Sequence, residues 1–348
     1  MAKTLQVGII GFGLSGKVFH APFIHCDPNF TLRKIISKRK DEIASVYPYV
    51  ETGVDPDELF NDEKIDLVIV ATPNTSHFDL ARKALISGKH VIVEKPVTNS
   101  SAEAEELIKL ARHEKKVLSV FHNRRWDGDF RTIKKILENK WLGRIVEFES
   151  RFDRYRPEFE PDKWRNQEAP GSGVLFDLGP HLIDQAVCLF GRPVSVWADI
   201  RNQRKAGKTD DSFEVHLEYG DLRAILKAGV LVREQSQRFV LHGTEGSFVK
   251  YGLDPQEEIL SKGVMPDADD WGADKAENFG TLNTSVNGMH FIGRIETLPG
   301  NYAGYFNNVY RAICHKEDLD VRPEDAGLVI EIIEAAFRSS HEKRVVAF

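Results

Sequence analysis

The first third of the chain alternates short apolar runs with segments of helical periodicity. Strands that are apolar throughout and separated by helices are typical of a parallel sheet covered on both faces. We therefore expect an α/β domain with a doubly wound parallel sheet over residues 1–123. The predicted strands are Leu5–Gly11, Thr31–Ser37, Ile65–Thr72, His90–Pro96 and Lys116–Asn123, and the clearest helical pattern covers residues 76–88.

Beyond Asn123 the rhythm changes to a helix and then to longer strands with a period of two. Alternating strands joined by turn residues predict an antiparallel sheet. Residues 124–348 are therefore expected to form an α+β domain with a large, mostly antiparallel open sheet. Residues 255–299 are loop-rich and acidic, which favours a functional loop or lid. An amphipathic helix over about residues 323–340 is a candidate to pack back on the first domain.

Composition narrows the class of partner. The 348 residues carry a formal net charge of −6, and no dense Lys/Arg block offsets it. This balance disfavours a nucleic-acid or membrane surface and favours a small-molecule substrate. The three cysteines are far apart and no Cys/His cluster occurs, so we expect reduced thiols, a cytoplasmic location and no metal.

A glycine motif follows the first predicted strand and opens a helix. The first glycine permits a tight turn, the second lets backbone approach a pyrophosphate, and the third allows close packing of helix and strand. This context predicts a dinucleotide-binding Rossmann domain. The candidate cofactor contacts here are Gly11, Phe12, Gly13, Leu14, Ser15 and Gly16.

The end of the second strand indicates which dinucleotide binds. An NAD site expects an acidic residue there, whereas this chain has Ser37 followed by Lys38 and Arg39. A hydroxyl and cations suit a 2′-phosphate. We therefore expect NADP(H) rather than NAD(H).

Three further residues are candidates for hydride-transfer chemistry. Lys95 ends a buried strand, where an amine could stabilise a developing alkoxide. Asp177 and His181 are four residues apart, on one face of a helix, with Pro180 placed in its first turn. His181 is the candidate general base. Asp177 either orients His181, binds a neighbouring hydroxyl or caps the helix.

Three stretches together resemble the glucose-fructose oxidoreductase/inositol dehydrogenase (Gfo/Idh/MocA) family. They are the glycine motif, VIVATPNTSHFDLARKALISGKHVIVEKP and GVLFDLGPHLIDQAVCLFG. The resemblance implies a Rossmann domain, a second domain whose sheet forms a homodimer or homotetramer interface, and a Lys95, Asp177, His181 constellation. It also implies further cofactor contacts at Thr72, Pro73, Asn74, His77, Glu94 and Lys95. SKR and FHNRRWD look most like the NADP-dependent scyllo-inositol dehydrogenase branch.

Substrate recognition has weaker sequence signals. Polyol binding needs several donors and acceptors in fixed places. The candidates are Asn123, Arg124, Trp126, Arg154, Tyr155 and Trp164. The leading hypothesis is a dehydrogenase (EC 1.1.1.-) that interconverts a secondary alcohol and a ketone on a cyclic polyol or sugar, with an inositol as the first candidate. The alternatives are an aldose or dihydrodiol dehydrogenase, and a non-catalytic NADP(H)-binding regulator.

Overall fold

The computed structural model describes residues 3–160, 168–205, 207–267, 271–286 and 288–348. In chain order, its strands are β1 (Leu5–Ile10), β2 (Phe30–Ile36), β3 (Glu51–Gly53), β4 (Leu67–Val70), β5 (His90–Val93), β6 (Leu118–Val120), β7 (Ile145–Arg151), β8 (Ser195–Arg201), β9 (Ser212–Glu218), β10 (Arg223–Gly229), β11 (Phe239–Gly243), β12 (Gly246–Lys250), β13 (Gly280–Val286), β14 (Met289–Ile295) and β15 (Val346–Ala347).

The α-helices are α1 (Ala21–Cys26), α2 (Lys40–Val46), α3 (Asp57–Phe60), α4 (His77–Ile86), α5 (Ser101–His113), α6 (Gly128–Glu138), α7 (Val174–Phe190), α8 (Gln256–Ser261), α9 (Ala303–Cys314) and α10 (Pro323–Glu342). A π-helical turn, Gly16–His20, directly precedes α1. Short 3-10 turns cover Asn74–Ser76, Asn123–Trp126 and Ala276–Asn278.

The chain divides into two compact units, which are described separately. The first unit comprises Met1–Asn123, Gln256–Trp271 and Asn301–Gly327. The second unit comprises Arg124–Pro255, Gly272–Gly300 and Leu328–Phe348.

A six-stranded parallel sheet forms the centre of the first unit, in the order β3-β2-β1-β4-β5-β6. This confirms the predicted doubly wound sheet. Side chains of β1 and β4 are almost all buried, as expected for strands covered on both faces. The short edge strand β3 escaped prediction because its three residues, Glu-Thr-Gly, give no apolar run.

An aromatic cluster packs α9 onto this unit. Phe306 stacks on Phe23 at 5.4 Å between ring centroids and lies 5.5 Å from Phe121. The neighbouring Tyr305 hydroxyl donates a hydrogen bond to Ser119 of β6 at 2.9 Å. Buried aromatic pairs of this kind add specific geometry to apolar burial. Sequence analysis did not predict α9, although Tyr305, Phe306 and Val309 recur at helical spacing.

The second unit is built on a nine-stranded sheet in the order β14-β13-β12-β11-β7-β10-β9-β8-β15. Among the described strand pairs of this second sheet, only β7–β10 is parallel, which confirms a large, mostly antiparallel sheet. Its inner positions are apolar and α7 covers β9 and β10.

The prediction of a loop over residues 255–299 was wrong. This stretch contains α8 and the hairpin of β13 and β14. The hairpin was missed because β14 is exposed at Met289, Phe291 and Ile292, so its sequence lacks the alternation of a strand with one buried face.

The predicted C-terminal helix is α10. Within the first unit its Glu324 pairs with Arg112 of α5 at 2.6 Å, and Gly327 lies against Ile108 of the same helix. From Leu328 onward α10 belongs to the second unit, where the Ser339 hydroxyl accepts a hydrogen bond from the Ala198 amide at 3.0 Å.

Candidate active site

The three glycines of the glycine loop do not all serve the same purpose. Gly11 has φ +101°, and a Cβ there would lie 2.4 Å from the Ala71 carbonyl oxygen. A Cβ on Gly16 would lie 2.2 Å from the Gly11 carbonyl oxygen, whereas one on Gly13 would meet nothing within 4 Å. The first and third glycines therefore serve packing. The second leaves an open approach to backbone, which fits the pyrophosphate of a dinucleotide.

Beyond β2 the basic stretch lies at the surface. Lys38, Arg39 and Lys40 are exposed, and the Ser37 hydroxyl accepts a hydrogen bond from the Arg39 amide at 3.2 Å. The Arg39 guanidinium lies 3.4 Å from Glu42 in α2. This loop offers cations and no carboxylate at the position where NAD sites carry an acidic residue.

The ATPNTSH segment forms a turn after β4. The Ser76 hydroxyl donates to the Thr72 hydroxyl at 2.7 Å. Pro73 is exposed, while Asn74 and His77 are buried.

His77 connects this turn to the segment that follows β5. Its Nδ1 lies 2.8 Å from the Pro96 carbonyl oxygen and its Nε2 lies 2.9 Å from the Thr72 carbonyl oxygen. Burial lowers the pKa of His77 although both carbonyls oppose that shift. A neutral imidazole donates through only one of these nitrogens. Neutral His77 therefore donates a hydrogen bond to one of the two carbonyl oxygens and contacts the other.

Glu94 is the centre of a buried hydrogen-bond cluster. Its Oε1 accepts hydrogen bonds from the Ser15 hydroxyl and from His20 Nε2, the latter at 2.9 Å. Its Oε2 accepts from the Lys95 amide at 3.0 Å. Burial by itself would raise the pKa of Glu94, but the hydrogen bonds from His20 and Ser15 and the charge of Lys95 lower it to about 2. The cluster joins the glycine loop to the backbone of the candidate catalytic lysine.

His20 was not predicted as a site residue. It is fully buried and its ring centroid lies 4.4 Å from that of Phe121. The sequence gives no spacing signal for it, because its partner Glu94 is 74 residues away. Only the tertiary fold brings the two together.

In the second unit, α7 begins earlier than predicted. The helix starts at Val174, so Asp177 lies in the first turn and Pro180 lies inside the helix rather than in that turn. The prediction for Pro180 was therefore wrong. Asp177 and His181 do lie one turn apart on the same helix. His181 is buried, whereas Asp177 is partly exposed.

The residue that caps α7 is Asp210, not Asp177. The Asp210 carboxylate accepts a hydrogen bond from the Leu175 amide at 2.7 Å, and its carbonyl accepts from the Val174 amide at 3.0 Å. Burial raises the pKa of Asp210 to about 6, with a contribution from Asp211, against the lowering effect of the backbone amides. The sequence offered only the unremarked pair Asp210-Asp211 as a signal.

A cavity of about 440 Å³ opens beside Asp177 within the second unit. The Arg154 guanidinium lies 3.9 Å from the Asp177 carboxylate and 5.0 Å from the Phe152 ring centroid. Interspersed carboxylates and guanidiniums suit a ligand with several hydroxyl groups. The charged lining residues are Arg154, Arg156, Glu158, Glu160, Asp177, Arg204 and Asp210.

Other substrate candidates lie in different surroundings. Arg124 is buried, 3.2 Å from Asp127, and Trp126 is half-buried. Tyr155 is 47% exposed, with the Arg233 guanidinium 5.0 Å from its ring centroid. Asn123 is buried and is the last residue of the segment Met1–Asn123 of the first unit. Trp164 lies outside the described residues.

Arg125 is a second residue that sequence analysis missed. It forms a bidentate ion pair with Asp184 of α7, at 2.6 and 2.8 Å, and both side chains are buried. The adjacent Gln185 donates to the Arg124 carbonyl at 3.0 Å. These contacts fix the middle of α7 to the segment that precedes α6.

The described part of the chain contains no group of three or more His, Cys, Asp or Glu side chains arranged to hold a metal ion. Among its helices, none combines the length and apolarity needed to cross a bilayer.

The chain combines a Rossmann unit that has an open glycine loop with a second unit built on a large open sheet, and this combination is typical of dinucleotide-dependent oxidoreductases. Residues 5–122 match the model of the oxidoreductase family NAD-binding Rossmann fold, and residues 134–348 match the model of the family's C-terminal alpha/beta domain. The chain belongs to the Gfo/Idh/MocA oxidoreductase family.

Several relatives match along almost the whole chain. The uncharacterised oxidoreductase YdgJ of Escherichia coli is 43% identical, over 99% of this chain and 98% of its own. The scyllo-inositol 2-dehydrogenase (NADP(+)) IolW of Bacillus subtilis is 41% identical, over 99% and 96%. The solved structure of yvaA from Bacillus subtilis has a TM-score of 0.97 at 40% identity, with 100% and 99% of the two chains covered.

Proposed function

We propose that this protein is an NADP(H)-dependent dehydrogenase (EC 1.1.1.-) that interconverts a secondary alcohol and a ketone on a cyclic polyol or sugar. The first candidate pair is scyllo-inositol and its inosose. The observation that carries the proposal is the charged cavity beside Asp177. The similarity to IolW supports the choice of substrate and cofactor.

Residues of the first unit would hold the cofactor. The open backbone at Gly13 would face the pyrophosphate, and Ser37, Lys38 and Arg39 would bind the 2′-phosphate. NADP⁺, when bound, supplies the acceptor for the substrate hydride. The Lys95 ammonium would donate a hydrogen bond to the reacting oxygen and stabilise its developing negative charge.

Residues of α7 would handle the proton and a neighbouring hydroxyl. His181 would take the hydroxyl proton as general base. Asp177, which lines the cavity, would accept a hydrogen bond from an adjacent substrate hydroxyl. The charged side chains around Asp177 favour a substrate with several polar groups.

The decisive experiment is a reduction screen with NADP⁺ and NAD⁺ against inositol stereoisomers and common aldoses. We expect turnover of an inositol with NADP⁺. Activity confined to aldoses would replace the inositol with an aldose as the proposed substrate. The absence of turnover with either cofactor would favour a non-catalytic NADP(H)-binding regulator.

Two variants test the assigned roles. Replacing His181 with Ala should abolish turnover while the Kd for NADPH stays within about twofold; a near-normal kcat would exclude His181 as the base.

Replacing Arg39 with Asp should raise the KM for NADP⁺ at least about tenfold and change the KM for NAD⁺ little. Equal effects on both cofactors would contradict the 2′-phosphate assignment.

We also propose that the protein is a cytoplasmic homodimer or homotetramer that associates through the large sheet. The outer face of that sheet carries paired charges, such as Lys227 and Glu214 at 2.9 Å. Light scattering coupled to size-exclusion chromatography tests this; a monomer at micromolar concentration would contradict it.

A further inference from the structure

We propose that Asp210 is a positioning residue, whose carboxylate fixes the first turn of α7 and thereby places Asp177 in the cavity. This inference rests on the proposed function in one respect, namely that Asp177 contacts the substrate. It concerns residues of the second unit alone.

The Asp210 carboxylate lies against the backbone at the start of α7. Gly173 has φ +91°, and a Cβ there would lie 1.9 Å from Asp210 Oδ1. Only glycine permits the carboxylate to approach the chain so closely. From that position Oδ2 reaches the Leu175 amide at 2.7 Å. The first turn has no side-chain cap from the preceding residue, so Asp210 satisfies an amide that the helix itself leaves without a partner.

The backbone at Asp210 is held in place by the next residue, Asp211. The neighbouring Asp211 is fully buried and accepts hydrogen bonds from the Gln203 and Arg204 amides at 2.7 and 2.9 Å. Its carboxylate also lies 3.0 Å from Arg204 Nε, and its carbonyl accepts from the Val230 amide at 3.1 Å. Asp211 thus anchors Asp210 to the ends of the strands beneath α7.

The first turn of α7 connects the Asp210 cap to the candidate site. The Asp177 amide donates to the Gly173 carbonyl at 3.1 Å, which is the first hydrogen bond within the helix. The Asp177 carboxylate and Asp210 both line the cavity. A first turn released from Asp210 would therefore move Asp177 relative to Arg154, while the buried Asp184 and Gln185 would hold the rest of α7 in place.

The test compares three single variants. Asp210→Ala removes the cap, and Asp210→Asn keeps an amide oxygen that can accept from Leu175. Ser100→Ala removes the matched cap of α5, where the Ser100 hydroxyl accepts from the Glu103 amide at 3.3 Å. The readouts are KM and kcat for the polyol that the wild type oxidises, and amide hydrogen exchange at Val174 and Leu175.

We expect Asp210→Ala to raise the KM for the polyol about tenfold, in line with the cost of a lost helix cap, and to leave the KM for NADP⁺ within about twofold. Exchange at Val174 and Leu175 should accelerate. Asp210→Asn should restore both readouts to within about threefold of the wild type, and Ser100→Ala should change neither.

Two results would overturn the inference. One is unchanged exchange at Val174 and Leu175 in Asp210→Ala. The other is accelerated exchange with a normal KM and kcat, which would leave Asp210 as a helix cap without influence on the site. If the wild type oxidises no polyol, the proposed function fails, and the exchange data still decide whether Asp210 holds the first turn.

Discussion

Glu94 and Asp210 are two carboxylates in similar surroundings, but their pKa values are shifted in opposite directions. Each is largely buried, and each accepts hydrogen bonds from backbone amides near a candidate catalytic residue. Yet the pKa of Glu94 is lowered to about 2, whereas burial raises that of Asp210 to about 6. The difference lies in their partners: Glu94 has His20, Ser15 and Lys95, while Asp210 has amide dipoles and the negative charge of Asp211.

The comparison shows that backbone amides alone do not offset the loss of hydration at Asp210. A side-chain donor and a nearby cation reverse the balance at Glu94. Glu94 therefore carries a fixed charge that stabilises the fold, whereas the charge of Asp210 changes near neutral pH. Three experiments, in order of expected effect, would sharpen or break this contrast.

The largest effect should follow Glu94→Ala. Removing the carboxylate leaves the buried His20 imidazole and the partly buried Ser15 hydroxyl without an acceptor, so the free energy of unfolding should fall by about 3 kcal/mol or more. Urea denaturation measures it. The control is Glu106→Ala, which breaks an exposed pair with Arg82 and should cost below about 1 kcal/mol. Similar losses of unfolding free energy in the two variants would mean that the Glu94 cluster stabilises the fold no more than an exposed ion pair does.

A smaller, pH-dependent effect should distinguish wild type from Asp210→Asn. The folded pKa of Asp210 lies above the usual value for an aspartate, so burying the charged form opposes folding at neutral pH, and protonation relieves this cost as the pH falls. Relative to the variant, the wild type should gain about 2 kcal/mol of stability between about pH 7.5 and about pH 4.5. Denaturation at several pH values tests this. A pH-independent difference would mean that Asp210 keeps an ordinary pKa.

The smallest effect should follow Ser15→Ala. The variant removes one of the hydrogen bonds that lower the pKa of Glu94, and we expect a loss of about 1 kcal/mol at neutral pH. Because the folded pKa of Glu94 lies below its usual value, the stability that its charge contributes is lost as the pH falls below that usual value, and in the variant this loss should be smaller and complete at a higher pH. Ser45→Ala, which affects an exposed hydroxyl bonded to the Glu42 carbonyl, serves as control. Equal curves for the two variants would exclude a role for Ser15 in holding Glu94 ionised.

The sequence predicted features that depend on local pattern. The parallel sheet followed from uninterrupted apolar runs, and the glycine loop from spacing that directly reflects backbone geometry. The one-turn relation of Asp177 and His181 followed from helical periodicity alone.

Features that depend on distant partners were not predictable in this way. His20 acquires its role from Glu94, and the start of α7 is set by Asp210, 36 residues after Val174 in the chain. Helix-start rules look for a cap immediately before the helix, where this chain has Gly173. The exposed hairpin of β13 and β14 was missed for the related reason that a strand's pattern depends on what covers it.

The π-helical turn Gly16–His20 makes the length of this segment as important as its composition. Each residue of a helix turns the chain by about 100°, so deleting one residue between Gly16 and His20 would swing the imidazole away from Glu94 even if every remaining side chain were kept. Among homologous chains, a one-residue gap at this point should therefore coincide with replacement of the histidine. Insertions and deletions in this segment therefore affect the hydrogen bond between His20 and the buried Glu94 carboxylate as directly as substitutions do.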